Sequence, residues 1–274
     1  MGKIGFIGFG AMGSIMVEAL VKAGAIAIKN IILTTRTPAK LKDFAARHPE
    51  VEVVGSTIEL AKKCERVFIC TGTSEVKGVL MEIARLAPKI HVITITGVIE
   101  IECIESVFPG RVTKIMPTQI AEVGEGVTLV GHNAKALPAD RAFIQDAFSK
   151  IGLVKEMPES QLDLAADLSG CAPAFYTAIL KNLVEVTHRH GDLSEKEIKE
   201  ISLATLYGTA KLLLEKDVDF AGFIARVATP GGITEEGVKI LDKALPPVFD
   251  EMLSVTLEKR KQVKARMRAQ FGVK

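Results

Sequence analysis

The stretch Lys3-Ile-Gly-Phe-Ile-Gly-Phe-Gly-Ala-Met-Gly13 joins a short apolar run to Met12–Ala23, a segment with Ile15, Met16, Ala19 and Leu20 on one helical face. Gly8, Gly10 and Gly13 form a GxGxxG between the predicted strand and the predicted helix, the setting in which this common pattern has a mechanism. Gly8 permits a tight turn, Gly10 lets a pyrophosphate approach the backbone, and Gly13 lets the helix close on the sheet. The phosphates would rest on the first helical amides, at Ala11, Met12 and Gly13, whose N–H groups have no intrahelical acceptor. A glycine-rich turn that binds nothing is the plain alternative. The position at the head of a β–α–β succession favours a dinucleotide site.

The end of the second strand chooses between dinucleotides. An Asp or Glu here holds a ribose 2′-hydroxyl, and Thr34-Thr35-Arg36-Thr37-Pro38-Ala-Lys40 has neither. Arg36 can face a 2′-phosphate with two parallel hydrogen bonds, helped by the hydroxyls of Thr35 and Thr37 and by Lys40. The expected cofactor is NADP(H). Open α/β sheets bind ligands beyond the carboxyl ends of their strands. The segments Cys70-Thr71-Gly72-Thr73-Ser74, Thr94-Ile-Thr-Gly97-Val98 and Met116-Pro-Thr-Gln119 are therefore expected along the same crevice. Cys70 reads as a small buried hydrophobe, because no histidine lies nearby in sequence to activate it.

The same alternation continues through the first half. Strands are expected at Asn30–Thr34, Val51–Val54, Arg66–Cys70, His91–Thr96, Val112–Met116, Val127–Gly131 and Leu153–Glu156, with helices between most of them. This is the signature of an α/β fold, a Rossmann-type doubly wound sheet with one or two added strands. Near Pro158 the strand-like runs stop. Helices are expected over Ala172–His188, Glu195–Glu215 behind a Ser194–Glu197 capping box, Asp219–Val227, Gly232–Leu241 and Pro246–Gln270. The expected division is a cofactor domain over 1–158 and an all-helical domain over 159–274. Lys259, Arg260, Lys261, Lys264, Arg266 and Arg268 in the last helix are expected to form mostly solvated surface.

Composition excludes other classes. The 274 residues are 48% hydrophobic and 25% charged with a net charge of +2, too balanced for a nucleic-acid footprint. The five histidines and four cysteines show no familiar zinc spacing, so no metal is expected, and a chain able to build a core needs no disulfides. The start lacks a charged region before a continuous apolar run, and no apolar stretch approaches the roughly 20 residues of a membrane span. A soluble cytoplasmic protein without membrane contact is expected.

A second unusual segment is Arg226-Val-Ala-Thr229-Pro-Gly231-Gly232-Ile233-Thr234-Glu-Glu-Gly237. It reads either as a helix-end pocket for a carboxylate or as a capped interhelical turn. Together with Leu168-Ser-Gly-Cys-Ala-Pro-Ala-Phe175 and Gly208-Thr-Ala-Lys-Leu-Leu-Leu214, it resembles the pyrroline-5-carboxylate reductase family, whose signature turn is Ser-Pro-Gly-Gly-Thr/Ala-Thr. The resemblance covers essentially the whole chain. It implies NADPH-dependent reduction of a cyclic imino acid, 1-pyrroline-5-carboxylate, to L-proline. It also implies a helical dimerisation domain that interlocks with a partner's, giving a homo-oligomer that is a dimer or a ring of dimers. Thr234 matches the family threonine that bonds near the imine nitrogen. Thr229, Gly231, Gly232, Ile233 and Thr234 match the groups that hold the substrate carboxylate.

Four segments depart from the family pattern. Cys70-Thr-Gly-Thr73 stands where the family has Ala-Val-Lys-Pro, and Thr94-Ile-Thr-Gly97 replaces an Ala-Ala-Gly turn. Met116-Pro-Thr-Gln-Ile120 replaces Met-Pro-Asn-Thr-Pro, and Ser169-Gly-Cys-Ala-Pro-Ala174 replaces Ser-Gly-Ser-Gly-Pro-Ala. All four fall on the nicotinamide and substrate side. A paralogous imine or hydroxyacid oxidoreductase with another small substrate, or a non-catalytic NADP-binding dimer, are the alternatives. Lys181 fits poorly as the acid/base lysine of a hydroxyacid dehydrogenase.

Overall fold

The computed structural model describes residues 2–86 and 89–273. Strands Ile4–Ile7 (β1), Ile31–Thr34 (β2), Glu52–Val53 (β3), Arg66–Ile69 (β4), His91–Thr94 (β5), Arg111–Met116 (β6), Gly126–His132 (β7) and Gly152–Glu156 (β8) form one eight-stranded sheet. The order is β3-β2-β1-β4-β5-β6-β7-β8. The pairs from β3 to β6 are parallel, β6 and β7 are antiparallel, and β7 and β8 are parallel. The helices are Ala11–Lys22 (α1), Lys42–Arg47 (α2), Thr57–Lys63 (α3), Val76–Leu86 (α4), Ile101–Glu105 (α5), Pro138–Phe148 (α6), Glu159–Ala166 (α7), Ala172–His188 (α8), Glu195–Lys216 (α9), Phe220–Val227 (α10) and Ile233–Phe271 (α11).

The central strands read as unbroken apolar runs because both faces are covered. Alternate side chains serve opposite faces. Phe6, Leu33, Phe68 and Ile93 pack with Met16 and Leu20 of α1 and Phe143 and Phe148 of α6. Ile7, Ile32, Val67, Ile69 and Val92 pack on the other side with Leu60 of α3, Leu80 and Ile83 of α4 and Ile104 of α5. Phe6 and Phe68 stack with ring centres 4.6 Å apart. Each such fully buried aromatic contributes about 1.5–3 kcal/mol relative to exposure. Chain order reverses at β1, which lies between β2 and β4. That switch point fixes the crevice at the carboxyl ends of β1 and β4.

The amino ends of β5 and β6 carry a buried polar group of residues. Asp140 has no solvent exposure; it accepts two hydrogen bonds from Arg111 Nη1 at 2.9 Å and one from the Leu137 amide at 3.0 Å. His91 Nδ1 lies 3.3 Å from Asp140, and His91 Nε2 lies 2.7 Å from Thr113 Oγ1. Lys114 on β6 is equally buried and reaches Glu159 at the start of α7 at 3.1 Å.

The chain forms two compact units, residues 1–171 with 257–274, and residues 172–256. This differs from the division expected at 158/159. Residues 159–171 pack on the sheet unit, where Leu162 and Ala166 meet Leu129 of β7, and the last part of α11 returns to that unit. Two expectations are corrected. The two terminal helices expected on either side of Pro246 are one helix, α11, with Pro246 and Pro247 inside it. The prolines remove the donors that would meet the carbonyls of Asp242 and Lys243; both residues are exposed, so water can satisfy those carbonyls. The basic residues of the last helix are also not uniformly solvated. Arg260, Lys264 and Arg268 recur every four residues, and each pairs with acids of the sheet unit. Lys259, Lys261 and Arg266 are exposed, as expected.

Candidate active site

The GxGxxG turn is shaped as a cradle. Gly8 has φ of +97°, and a Cβ there would stand 2.7 Å from Cys70 O. A Cβ on Gly13 would stand 2.7 Å from Gly8 O, so only glycine lets α1 approach the turn this closely. A Cβ on Gly10 would meet nothing within 4 Å, because that face is open. Gly10 begins α1 without a side-chain cap, leaving the first amides for an external acceptor.

Gly10, Ala11 and Met12 form one wall of a cavity of about 530 Å³. Cys70–Thr73 after β4, Ile95–Val98 after β5 and Met116–Pro117 after β6 form the next walls. Ala166, Ser169–Cys171 and Arg260 close it on another side. The size is that of a small-molecule site. Thr71 and Arg260 are among the lining residues, and two of their buried polar atoms, Thr71 Oγ1 and Arg260 Nε, have no hydrogen-bond partner among the described residues. Unpaired buried polar atoms are costly, and a polar ligand would satisfy them. The cradle, the open Gly10 face and these two atoms fit a dinucleotide. Burial pushes the Cys70 thiol far above its ordinary range, so it is neither thiolate nor nucleophile.

Not every expected residue sits in this cavity. Thr35, Arg36 and Thr37 follow β2, with Thr35 Oγ1 accepting from the Thr37 amide at 3.4 Å. Arg36 is strongly exposed and ion-paired with Glu75. Lys40 shares a smaller cavity, of about 380 Å³, with Gly10 and Ala11. Thr229 and Gly231–Thr234 belong to the second unit. There the Gly232 amide donates to Thr229 O at 2.9 Å and the Gly231 amide to Glu235 Oε2 at 2.8 Å. These bonds close the interhelical turn directly before α11, whose first residues are Ile233 and Thr234. Lys181 is exposed and paired with Glu185 at 3.3 Å, a solvated helical pair.

Three groups at the site escaped the sequence reading. Asp167 and Cys171 bound a π-helical turn, Asp167–Cys171, a distortion that often marks functional sites. Arg260 pairs with the buried Asp167, and Cys171 Sγ lies 3.6 Å from the same carboxylate. Burial and the Asp167 charge push the Cys171 thiol up. Glu75 reaches Arg36 from the turn that follows β4. Cys171 falls in the Ser169–Ala174 segment that departs from the family pattern, and Arg260 shares a four-residue spacing with Lys264 and Arg268; Asp167 and Glu75 left no trace in sequence.

No group of metal-ligating side chains occurs among the described residues. No helix among them is long and apolar enough to cross a membrane. A phosphate-type cradle at the head of a doubly wound sheet, followed by a helical unit, defines the class of two-unit Rossmann-type proteins.

The comparisons narrow that class. Residues 159–263 match the family model described as pyrroline-5-carboxylate reductase dimerisation, and residues 3–97 match that of NADP oxidoreductase, coenzyme F420-dependent. Pyrroline-5-carboxylate reductase 3 of Bacillus subtilis is 30% identical over 264 residues, 94% of this chain and 96% of that one. A pyrroline-5-carboxylate reductase structure from Coxiella burnetii superposes with a TM-score of 0.88 at 25% identity, covering 96% and 98% of the two chains. The Plasmodium falciparum pyrroline carboxylate reductase with NADP bound gives 0.81 at 24%, covering 98% of each chain. The chain belongs to the pyrroline-5-carboxylate reductase family.

Proposed function

We propose that this chain reduces 1-pyrroline-5-carboxylate to L-proline with NADPH, as a homo-oligomer in the cytoplasm. The observation that carries the reading is the uncapped glycine cradle opening onto a cavity with two unpartnered polar atoms, in a chain of this family. The amides of Ala11, Met12 and Gly13 hold the pyrophosphate, with Gly8 and Gly10 shaping the turn beneath it. Arg36, with Thr35 and Thr37, holds the 2′-phosphate. Cys70, Thr71, Gly72, Thr73 and Gly97 line the path to the nicotinamide, and Thr71 Oγ1 there gains the partner it lacks.

The bound cofactor supplies the hydride. The protein aligns the reactants and excludes water. The segment Thr229–Thr234 holds the substrate carboxylate through Thr229, the glycine turn and the first amides of α11, at Ile233 and Thr234. The Thr234 hydroxyl bonds at the imine nitrogen and is the assigned catalytic residue. The imine enters protonated, so hydride addition to its carbon gives the amine directly and no charged side-chain acid is needed.

The homo-oligomer rests on the second unit. Only Ala172 and Ile198 are buried within residues 172–256, while Tyr207, Leu214, Phe220 and Ile233 are exposed. Apolar surface on this scale marks an interaction face.

The substrate assignment is tested by following oxidation of NADPH with 1-pyrroline-5-carboxylate and with a panel of other cyclic imines and keto acids. Turnover on the first substrate is expected. Turnover confined to the panel would support the second reading, a paralogue reducing another small imine, which the departures at Cys70–Thr73, Thr94–Gly97 and Thr118–Ile120 favour.

A further inference from the structure

The loop after β2 contains no carboxylate, yet the folded chain brings one to it. Arg36 Nη1 donates to Glu75 Oε1 across 39 positions of sequence. Glu75 closes the turn Thr73–Glu75 that follows β4, and its amide donates to Gly72 O at 2.9 Å. A Cβ on Gly72 would lie 3.8 Å from Glu75 Oε2. The carboxylate therefore lies by the Gly72 backbone and spans the gap between the β2 and β4 loops. The turn is also tied from behind. Gln270 Nε2 donates to Ser74 O at 2.9 Å, and Lys77 Nζ donates to Gln270 O at 2.7 Å. The Lys77 ammonium stands 5.8 Å from the centre of the Phe271 ring. The end of α11 thus holds the turn that carries Glu75.

We propose that Glu75 is a selectivity residue for the dinucleotide, competing with the 2′-phosphate for Arg36. This rests on the assignment of Arg36 to that phosphate made above. A 2′-phosphate has to displace the Glu75 carboxylate from the guanidinium and then remains beside a like charge. A ribose 2′-hydroxyl meets neither cost, and a carboxylate can accept its hydrogen bond. Arg36 is 84% exposed, so the pair is of the weak, solvated kind that an incoming phosphate can displace. Glu75 therefore supplies from the β4 side the acidic group absent from the β2 side. It narrows the margin between phosphorylated and unphosphorylated cofactor that Arg36 alone would create.

The test is calorimetric titration of the full chain with adenosine 2′,5′-bisphosphate and with 5′-ADP, which differ in the 2′-phosphate and need no turnover. Glu75→Gln is expected to tighten the bisphosphate by about two- to fivefold, the range of an exposed ion pair, and not to tighten 5′-ADP. Arg36→Ala is expected to weaken the bisphosphate alone, and on that background Glu75→Gln should have at most half its effect. Circular dichroism verifies that all three variants are folded. If Glu75→Gln leaves the bisphosphate affinity unchanged while Arg36→Ala weakens it, the role of Glu75 is overturned and the assignment of Arg36 stands. If Arg36→Ala changes nothing, that assignment fails and the role of Glu75 falls with it.

Discussion

The two compact units are stabilised in different ways. In the sheet unit, the central strands are covered on both faces and stacked aromatics fill the middle. In the helical unit, the 22-residue α9 buries only Ile198, and α10 buries nothing. A helix held by so little packing within its own chain depends on capping, on side-chain pairs along its surface and on contacts from outside. The contrast separates two tasks. The sheet unit carries the cofactor crevice on a core it completes itself, while the helical unit presents an apolar surface that the proposed second copy would cover.

The largest expected effect lies in the sheet core. Phe68→Ala should destabilise the protein by about 3–5 kcal/mol, read from denaturant midpoints, because the ring stacks on Phe6 and also meets Phe143 and Phe148. An effect under about 1 kcal/mol would mean that this core is far more plastic than its packing implies.

Acid should act on the same unit. Burial pushes the His91 imidazole down to about 3, with Arg111, Arg66 and His132 acting in the same direction and Asp140 opposing them. Burial also lowers His132. The folded value for His91 lies below the ordinary one near 6.5, so between those pH values the unfolded chain binds more protons. This contribution is complete above pH ~6.5 and declines toward pH ~3, by at most about 1.4 kcal/mol per pH unit. Denaturation curves across that window should show the slope, and His91→Asn should flatten it.

A smaller effect is expected at the start of α9. Ser194 Oγ accepts from the Glu197 amide at 3.3 Å, while Glu197 accepts from the Ser194 amide at 2.9 Å. Ser194→Ala should cost about 1 kcal/mol, visible as a lowered thermal midpoint.

The smallest change in single-chain stability is expected on the exposed face of α9. Tyr207→Asp combined with Leu214→Asp alters two exposed positions seven apart on α9, each within about 0.5 kcal/mol for a solvated site. Sedimentation should nevertheless shift from dimer toward monomer. A dimer of undiminished strength would place the interface elsewhere.

The sheet was legible in the sequence because parallel strands buried on both faces appear as uninterrupted apolar runs. The cradle was legible because a backbone turn against a helix admits few residues besides glycine. The long helix was not, since Pro246-Pro247 is locally a stop signal, and only the exposure of the freed carbonyls shows why the helix can continue. Arg260 was hidden because its partner, Asp167, lies 93 positions away. Glu75 was hidden for the same reason: the sequence rule looks for an acid at the end of β2, and the fold brings one from the loop after β4. Groups defined by local backbone geometry can be read from sequence, whereas groups defined by pairing across the fold cannot.

The most direct test measures NADPH consumed and L-proline formed from 1-pyrroline-5-carboxylate, with wild-type protein and Thr234→Ala side by side. One-to-one conversion by the wild type, with turnover reduced about tenfold or more in the variant while NADPH still binds, is the predicted result. NADPH that binds but is not consumed with this substrate, or a variant as active as the wild type, would contradict it.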